Sequence, residues 1–262
     1  MSKVDVVIPT RNAPSVLSLC LSHYWLNAHE EKLVSSVTLF DNCSTDSGMS
    51  SIQQNAQRMG ASIFINEQNV GVWTSVNRGA VLARSEYILV LTSDVLLAPG
   101  SLRKLMGALD TDSTLSVVGP VVADGLQSLP WLYEPVTRYE LDLTTYNGAC
   151  WLFRRSLLDQ IGYFDPQFYI CFGDVDWMQR VRDAGGQYGV LRNARCVHLD
   201  KQSRQADHSI DQDNKVEVQD AIRFHTKWQH RPDVLGKHPL PDRLMYAMQK
   251  EQYWQHKLVV TG

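Results

Sequence analysis

The sequence predicts an α/β fold with a mostly parallel, Rossmann-like central sheet and helices on both faces. Short apolar segments alternate with longer helix-like segments along the first half of the chain, as in successive βαβ units. The 262 residues are 44% hydrophobic and 20% charged, which is ample for a packed core. The net charge of -3 excludes a globally basic surface for nucleic acid or anionic membranes, although a local basic groove stays open.

The first half of the chain is predicted to contain five strands. The first strand, at 4–8, ends at Pro9, and Pro14 opens a helix at 15–29 because proline suits the first helical turn. Further apolar segments predict strands at 37–40, 62–65, 87–95 and 115–122, with helices that end near Met59 and cover 70–84.

The second half is less regular. Residues 124–146 lose the alternation and contain Pro130 and Pro135, so no element is predicted there. Strands are predicted at 149–153, 188–191 and 194–198, a helix at 174–184, and a mobile loop at 200–214. From about Pro232, a loop and an amphipathic helix are expected, with Leu244, Met248 and Tyr253 as docking residues.

Several classes of protein are disfavoured. The five cysteines are odd in number and include no CxxC pair, which indicates reduced thiols. No segment approaches 18 apolar residues, so we expect a soluble, cytoplasmic protein, with peripheral membrane association left open. Neither GxGxxG nor GxxxxGK[ST] occurs, which argues against a dinucleotide oxidoreductase or a P-loop phosphotransferase.

Polar residues directly follow three of the predicted strands. They are Pro9, Thr10, Arg11 and Asn12; Asp41 and Asn42; and Ser93 and Asp94. Because ligands of open α/β sheets bind outside the carboxyl ends of the strands, these residues are expected to line one rim. Each group alone also fits ordinary turn and helix-cap chemistry. The segment containing Asn69, Gly71 and Asn77 could bring backbone N–H groups to a phosphate, or simply form a turn.

Two strand ends carry groups that suit a metal ion. Asp94 follows one apolar strand and His198 ends another. A carboxylate and an imidazole together suit Mn²⁺ or Mg²⁺ with coordination positions left for phosphate oxygens. A helix-capping aspartate and a structural histidine are the simpler alternatives.

A second pair of acids, Asp174 and Asp176, lies at a predicted helix start. Both favour the positive end of the helix dipole. A carboxylate beneath an apolar wall of Phe168, Phe172 and Trp177 also suits a general base. Because the two acids do not share a helical face, one is expected to do chemistry while the other caps or positions.

The ordered series of motifs resembles the inverting glycosyltransferases of family 2, in particular the rhamnosyltransferase-like branch. The matching segments are VVIPTRN (6–12), DNCSTD (41–46), NVGV and NRG (within 69–79), LVLTSDV (89–95), GACWLFRRSLLDQIGYFDPQF (148–168), FGDVDWMQRVRDAGG (172–186) and CVHL (196–199). The resemblance implies the A-type nucleotide-diphospho-sugar transferase fold. It also implies one domain at 1–230, divided into a nucleotide-sugar-binding half (1–123) and an acceptor-binding, catalytic half (124–230). A C-terminal loop and helix at 231–262 would follow.

The resemblance further implies roles for individual residues. Pro9, Thr10, Arg11 and Asp41 would surround the donor nucleoside, with Asp41 accepting the N3–H of uracil or thymine, which favours UDP- or dTDP-sugars. The donor pocket would be shaped by Asn69, Gly71, Asn77 and Ser93. Asp94 and His198 would bind the divalent cation, and Lys201 and Arg204 would close over the diphosphate. Asp174 corresponds to the catalytic base of a single inverting displacement.

Two departures from the family pattern are visible. Thr92-Ser93-Asp94 keeps only the last acid of the D-x-D-like element, which weakens the expectation of tight metal binding. Gly173 stands where the family often has glutamate, which is expected to widen the acceptor side of the site.

The acceptor class stays open between glycan, lipid-linked and other hydroxyls. Candidate acceptor contacts are Trp131, Tyr133, Tyr139, Trp151, Asp176 and Trp177. Three other functions stay open: a non-catalytic nucleotide-sugar-binding module, a nucleotidyltransferase, and a glycosyltransferase acting on a modified DNA base. The last would use a basic patch formed by Arg192, Arg195, Lys201 and Arg204.

Overall fold

The computed structural model describes residues 3–44, 46–134, 139–143, 148–199 and 215–240, together with residues 242, 244–246 and 249. Its strands are β1 (Val4–Thr10), β2 (Val34–Asp41), β3 (Ser62–Ile65), β4 (Tyr87–Leu91), β5 (Val95–Leu97), β6 (Leu115–Asp124), β7 (Leu141–Asp142), β8 (Cys150–Arg154) and β9 (Gln187–His198). Its helices are α1 (Pro14–Glu31), α2 (Asp46–Arg58), α3 (Val72–Leu82), α4 (Ser101–Thr111), α5 (Leu157–Ile161), α6 (Gly173–Asp183), α7 (Lys215–Trp228) and α8 (Pro232–Lys237). A 3₁₀ helix covers Leu126–Tyr133.

The described strands form one sheet in the order β3-β2-β1-β4-β8-β6-β9-β5, with β7 added to β9. Strands β3, β2, β1 and β4 are parallel, so their carboxyl ends meet at one edge. Strand β8 runs antiparallel between β4 and β6, whereas β6 and β9 are parallel. The predicted α/β fold with a large central sheet is therefore confirmed, and its second half is mixed in strand direction.

Both faces of the sheet are buried. Along β4, Ile88 and Val90 pack into one hydrophobic cluster, while Leu89 and Leu91 pack into the other. Because successive side chains of a strand point to opposite faces, a strand buried on both sides appears in the sequence as a continuous apolar segment.

Two predicted boundaries are corrected. The segment 87–95 forms two strands, because β4 pairs with β1 and β8 whereas β5 pairs with β9. The chain turns between them, and the Val95 N–H donates to the Thr92 carbonyl at 3.2 Å. Conversely, the strands expected at 188–191 and 194–198 form the single strand β9, whose pairing with β6 shifts register between Pro120 and Val121.

Other expectations have mixed outcomes. The irregular segment after residue 124 contains the 3₁₀ helix, which was not predicted. All five cysteines are free, as expected.

The C-terminal expectations are only partly covered by the described residues. Leu244 is buried against α7, but Met248, Tyr253 and the segment 200–214 lie outside the described residues. None of the helices in the described part of the chain is both long and apolar enough to cross a membrane.

Candidate active site

A cleft of about 570 Å³ opens at the edge of the sheet where the parallel strands end. It brings together residues from eight separate parts of the chain, and most of the residues predicted for the site lie in its wall. These are Pro9, Thr10, Arg11, Asn69, Gly71, Ser93, Asp94, Trp151, Asp174 and His198. Residues from each of the three polar groups that follow predicted strands, such as Thr10, Asn42 and Ser93, thus lie in one wall.

Asp41 is not among the residues that line the cleft. Its carboxylate is fully buried and accepts hydrogen bonds from the backbone N–H of Ser44, at 3.2 Å, and from the Ser44 hydroxyl. Burial raises the pKa of Asp41, and the Ser44 hydrogen bonds and the Arg11 charge only partly oppose this. Asp41 was expected in the wall of the cleft. In the structure it lies behind that wall.

Asn42 lines the cleft, as expected of the polar residues that follow the predicted strands, although the family resemblance gave it no role. Its side-chain oxygen accepts from Asn66 Nδ2 at 2.9 Å and from Ser75 Oγ at 3.0 Å. Arg11 donates to the backbone carbonyls of Asn42 and Cys43. This network fixes the loops that follow β1 and β2 against each other. An asparagine after a strand is too common in turns to have identified this role.

The segment from Asn69 to Asn77 shapes the cleft mainly through its backbone. Gly71 has φ 81°, and a Cβ there would lie 2.5 Å from the Tyr169 carbonyl oxygen, so only glycine fits. Asn77 does not line the cleft. Its amide instead donates to the Phe164 carbonyl at 2.7 Å and accepts from the Phe164 N–H at 2.9 Å, which joins α3 to the loop before α6.

The two predicted metal ligands lie side by side. His198 Nε2 is 3.4 Å from Asp94 Oδ1, and His198 Nδ1 is 3.6 Å from Asp124 Oδ1 on the neighbouring strand. Burial alone would raise the pKa of Asp94. The hydrogen bond and charge of His198 and the hydrogen bond from Thr92 outweigh it, so the pKa is lowered and the group is ionised at neutral pH.

This pair fits a divalent cation that is shared with a ligand. In the described part of the chain there is no group of three or more His, Cys, Asp or Glu side chains that could hold a metal. Asp94 and His198 supply one carboxylate oxygen and one imidazole nitrogen. Mg²⁺ and Mn²⁺ sites in nucleotide-dependent enzymes commonly complete their shell with phosphate oxygens and water.

Asp174 lies in the cleft wall at the start of α6. Burial raises its pKa to about 6, against the opposing hydrogen bonds from the backbone N–H groups of Val175 and Asp174 itself. Within the described residues no cation pairs with this carboxylate, and a Cβ at Gly148 would lie 2.4 Å from its Oδ2. A carboxylate of this kind can accept a proton near neutral pH.

Asp176 has a structural position, outside the cleft lining. It is completely buried and interacts with Arg180 at 3.2 Å, Lys227 at 2.8 Å and the Trp228 indole N–H at 3.0 Å. Trp177 is likewise buried in the core, and its indole N–H donates to the Gly162 carbonyl. The acceptor contacts expected of these two residues are therefore corrected to core contacts.

Gly173 does not widen the site, contrary to expectation. A Cβ at this position would lie 2.5 Å from Trp73 Nε1, because the Trp73 ring fills the space beside the glycine. The preceding residue, Phe172, has φ 62°, a backbone conformation that is rare for a bulky side chain. The start of α6 is thus held in a tight and unusual geometry next to Asp174.

A buried carboxylate that sequence analysis missed supports this region. Asp220 on α7 accepts hydrogen bonds from the backbone N–H groups of Tyr169, Ile170 and Cys171 at 2.8–3.1 Å, and it pairs with Arg223. Asp220 is 0% exposed. Its position one helical turn before the buried Phe224 was the available signal.

The remaining acceptor and basic-patch candidates lie elsewhere. Trp131, Tyr133 and Tyr139 do not line the cleft, and both tyrosines are more than half exposed. Arg192 pairs with Glu140 and Asp142, and Arg195 pairs with Glu134, so these arginines are charge-neutralised rather than a free basic surface. Lys201 and Arg204 lie outside the described residues.

The partly parallel sheet with a cleft at its strand ends is the arrangement of the A-type nucleotide-diphospho-sugar transferase fold. Residues 5–162 match the family model described as Glycosyl transferase family 2. The chain belongs to this family.

One relative with a named activity is similar in sequence to this chain. The chain is 24% identical to N-acetylglucosaminyl-diphospho-decaprenol L-rhamnosyltransferase of Mycobacterium tuberculosis, over 62% of the chain and 66% of that protein. It therefore spans slightly less than two thirds of that relative's length.

Two solved structures share the fold at 15% identity. The first is the mannosyltransferase PcManGT from Pyrobaculum calidifontis in complex with GDP-Man and Mn²⁺, with a TM-score of 0.65 over 100% of the chain and 76% of that protein. The second is GalNAc-T7 with UDP, GalNAc and Mn²⁺, with a TM-score of 0.61 over 76% of the chain and 43% of that protein.

Proposed function

We propose that the chain transfers a sugar from a UDP- or dTDP-sugar to an acceptor hydroxyl, in a metal-dependent reaction that inverts the anomeric centre. One observation carries the proposal. Asp174, with its raised pKa, lines the same cleft as the Asp94–His198 pair. A proton acceptor and a site for a cation-bound diphosphate are the two groups that a direct displacement requires.

Asp94 and His198 would hold the cation against the donor diphosphate. When bound, the cation neutralises charge that develops on the leaving nucleoside diphosphate. The lowered pKa of Asp94 keeps the carboxylate ionised for this role at neutral pH.

Asp174 is the proposed general base. It takes the proton of the acceptor hydroxyl while that oxygen attacks the anomeric carbon, and the bond from this carbon to the diphosphate oxygen breaks. The new bond forms on the face opposite the leaving group, so one displacement inverts the centre.

The nucleoside would lie at the end of the cleft formed by Pro9, Thr10, Arg11, Asn42 and Asn69. The Thr10 hydroxyl supports this placement, because it is buried in the wall and has no hydrogen-bond partner within the described residues. Asp41, held by Ser44, would support this end from behind.

For the acceptor, we propose a lipid-linked saccharide as the first class to test. The mycobacterial relative is named as acting on N-acetylglucosaminyl-diphospho-decaprenol. The proposal does not depend on this choice, because release of nucleoside diphosphate is measured independently of the acceptor.

The test is a screen of UDP-, dTDP- and GDP-sugars with Mn²⁺ or Mg²⁺, with and without EDTA, in which thermal shift and nucleoside diphosphate release are measured. We expect one donor to stabilise the protein and to be turned over. Asp174→Asn should lower turnover by about 10²–10⁴-fold and leave donor binding intact. Asp159→Asn, at an exposed position on α5, is the matched control and should leave both unchanged.

Two results would count against the proposal. Donor binding without transfer to any acceptor would indicate a binding module, and full turnover by the Asp174→Asn enzyme would remove this residue from the role of base.

A further inference from the structure

One tryptophan beside the cleft differs from its neighbours in how its indole N–H is used. The N–H groups of Trp73, Trp177 and Trp228 donate to the Ile170 carbonyl, the Gly162 carbonyl and the Asp176 carboxylate, at 3.0–3.1 Å. Trp151 Nε1 is buried and has no hydrogen-bond partner in the described part of the chain. Trp151 is also a lining residue of the cleft.

A buried N–H without a partner destabilises a folded protein, so such groups are rare. The Trp151 side chain is 1% exposed and lies within an aromatic cluster with Trp73 and Phe164. A phenylalanine would keep part of this aromatic packing and carries no donor. The unpaired indole N–H therefore destabilises the fold. Packing alone does not explain why a tryptophan occupies this position.

The position of Trp151 indicates which part of a ligand it faces. Trp151 pairs with Val90 across β8 and β4, and both residues line the cleft. Two residues before Trp151, the Ala149 carbonyl accepts from the Thr92 N–H, close in sequence to Asp94. Gly148, one residue earlier, lies against the Asp174 carboxylate. Trp151 thus lines the cleft on the segment whose preceding residues contact both the proposed base and the turn that carries Asp94.

The chemistry of the wall limits which kind of ligand group can bind to Trp151 Nε1. An indole N–H only donates, so its partner must be a hydrogen-bond acceptor such as a hydroxyl, ring or carbonyl oxygen. The neighbouring wall is apolar, with Val90, Trp73, Ile170 and Phe172. A single polar contact on an apolar surface suits a sugar, which offers C–H faces and oxygen atoms at defined positions.

We propose that Trp151 Nε1 donates a hydrogen bond to an oxygen of the transferred sugar, and that this contact helps to select the donor. The inference rests on the proposed function, because it requires a sugar between Asp174 and the Asp94–His198 pair. It adds a specificity residue to that site.

The first test is Trp151→Phe, which keeps an aromatic ring and removes the N–H. We expect little change in Tm, because the loss of an unsatisfied donor offsets the packing lost with the smaller ring. The kcat/KM for the sugar donor should fall about 5- to 10-fold, the effect of losing one neutral hydrogen bond, while affinity for the nucleoside diphosphate alone stays the same.

Trp228→Phe is the matched control, because it removes an N–H that has a partner outside the cleft lining. We expect a lower Tm and an unchanged kcat/KM per folded molecule. A lower Tm for Trp151→Phe with unchanged kcat/KM would assign a packing role to Trp151 and overturn the inference.

The second test observes the Trp151 indole N–H directly, by ¹⁵N–¹H NMR. The Trp151 signal is assigned as the one that is missing from the spectrum of Trp151→Phe. UDP-glucose, UDP-N-acetylglucosamine and dTDP-L-rhamnose are added with diamagnetic Mg²⁺, each beside UDP or dTDP alone. We expect a sugar donor that binds to shift the Trp151 signal more than its nucleoside diphosphate does. A donor that binds without this difference overturns the inference but leaves the proposed function standing, whereas failure of every nucleotide sugar to bind overturns both.

Discussion

The two acids at the start of α6 show how neighbouring residues of one type acquire different tasks. Asp176 points into the protein, where Arg180 and Lys227 neutralise it. Asp174 faces the cleft, and burial without a cationic partner among the described residues raises its pKa to about 6. The difference follows from helical geometry, since residues two apart point in different directions.

This pKa predicts the pH dependence of the reaction. The proposed base acts only when ionised, so kcat/KM should be level above about pH 6 and fall roughly tenfold per pH unit below it. Initial rates at saturating metal, measured between pH 4.5 and 8.5, check this. A kcat/KM that stays level down to pH 4.5 would mean that Asp174 is not desolvated or is not the base.

The same carboxylate predicts a change in stability. Its pKa is higher in the folded chain than the ordinary value of 3.8, so its ionisation destabilises the fold progressively between about pH 4 and pH 6 and fully above that. Asp174→Asn should therefore be more stable than the parent by about 1–2 kcal/mol at pH 7 and equal to it near pH 4. Urea unfolding at the two pH values measures both. Equal stability at pH 7 would contradict the prediction.

Gly173 gives a prediction about packing. Gly173→Ala places a methyl group against the Trp73 ring and should destabilise the protein by about 1–3 kcal/mol. Gly107→Ala, in the middle of α4 with open space around the added Cβ, should stabilise it by about 0.5–1 kcal/mol because alanine is the better helix former. Urea unfolding of the two variants compares them, and changes of the same sign would disprove the proposed contact.

At the level of elements, α7 controls the loop that lines the cleft beside Asp174. Asp220→Asn leaves one carbonyl oxygen for three backbone N–H groups, so we expect a loss of about 2–4 kcal/mol and faster amide exchange at Tyr169, Ile170 and Cys171. Arg223→Gln keeps the carboxylate and removes only a partly exposed ion pair, which should cost about 1 kcal/mol or less. Equal losses in the two variants would show that the ion pair, and not the N–H contacts, holds the loop.

Elements defined by local pattern were predictable, whereas those defined by pairing partners were not. Strand β3 was predicted with its observed bounds, because its limits follow from neighbouring residues. The division of 87–95 into β4 and β5 depends on which distant strands each part pairs with. Asp94 and His198 were both selected because each lies at the end of an apolar segment, but their proximity follows from the antiparallel pairing of Val95 with His198. The position of Asp41 behind the cleft wall was not predictable either, since it depends on how Ser44 folds back onto Asp41.

At the level of the whole molecule, metal and donor should bind cooperatively. Asp94 and His198 offer two ligand atoms, so Mn²⁺ alone should raise the Tm little, while Mn²⁺ and the nucleoside diphosphate together should raise it by more than the sum of their separate effects. EDTA should abolish the excess, and His198→Ala should weaken Mn²⁺ binding in the presence of nucleotide about tenfold or more. Calorimetric titration of Mn²⁺ with and without UDP tests this. Tight binding of Mn²⁺ alone would mean that the protein supplies enough metal ligands without the nucleotide, and would contradict the prediction.

The contact between Asp220 and the 169–171 loop also has a consequence for biosynthesis. The three N–H groups are made 49 to 51 residues before the carboxylate that accepts them. A nascent chain that has emerged only as far as β9 has the strands whose ends form the nucleoside end of the cleft. It still lacks the group that fixes the loop beside the proposed base. The strands of the nucleoside end are therefore synthesised before the residue that fixes the loop at the catalytic end.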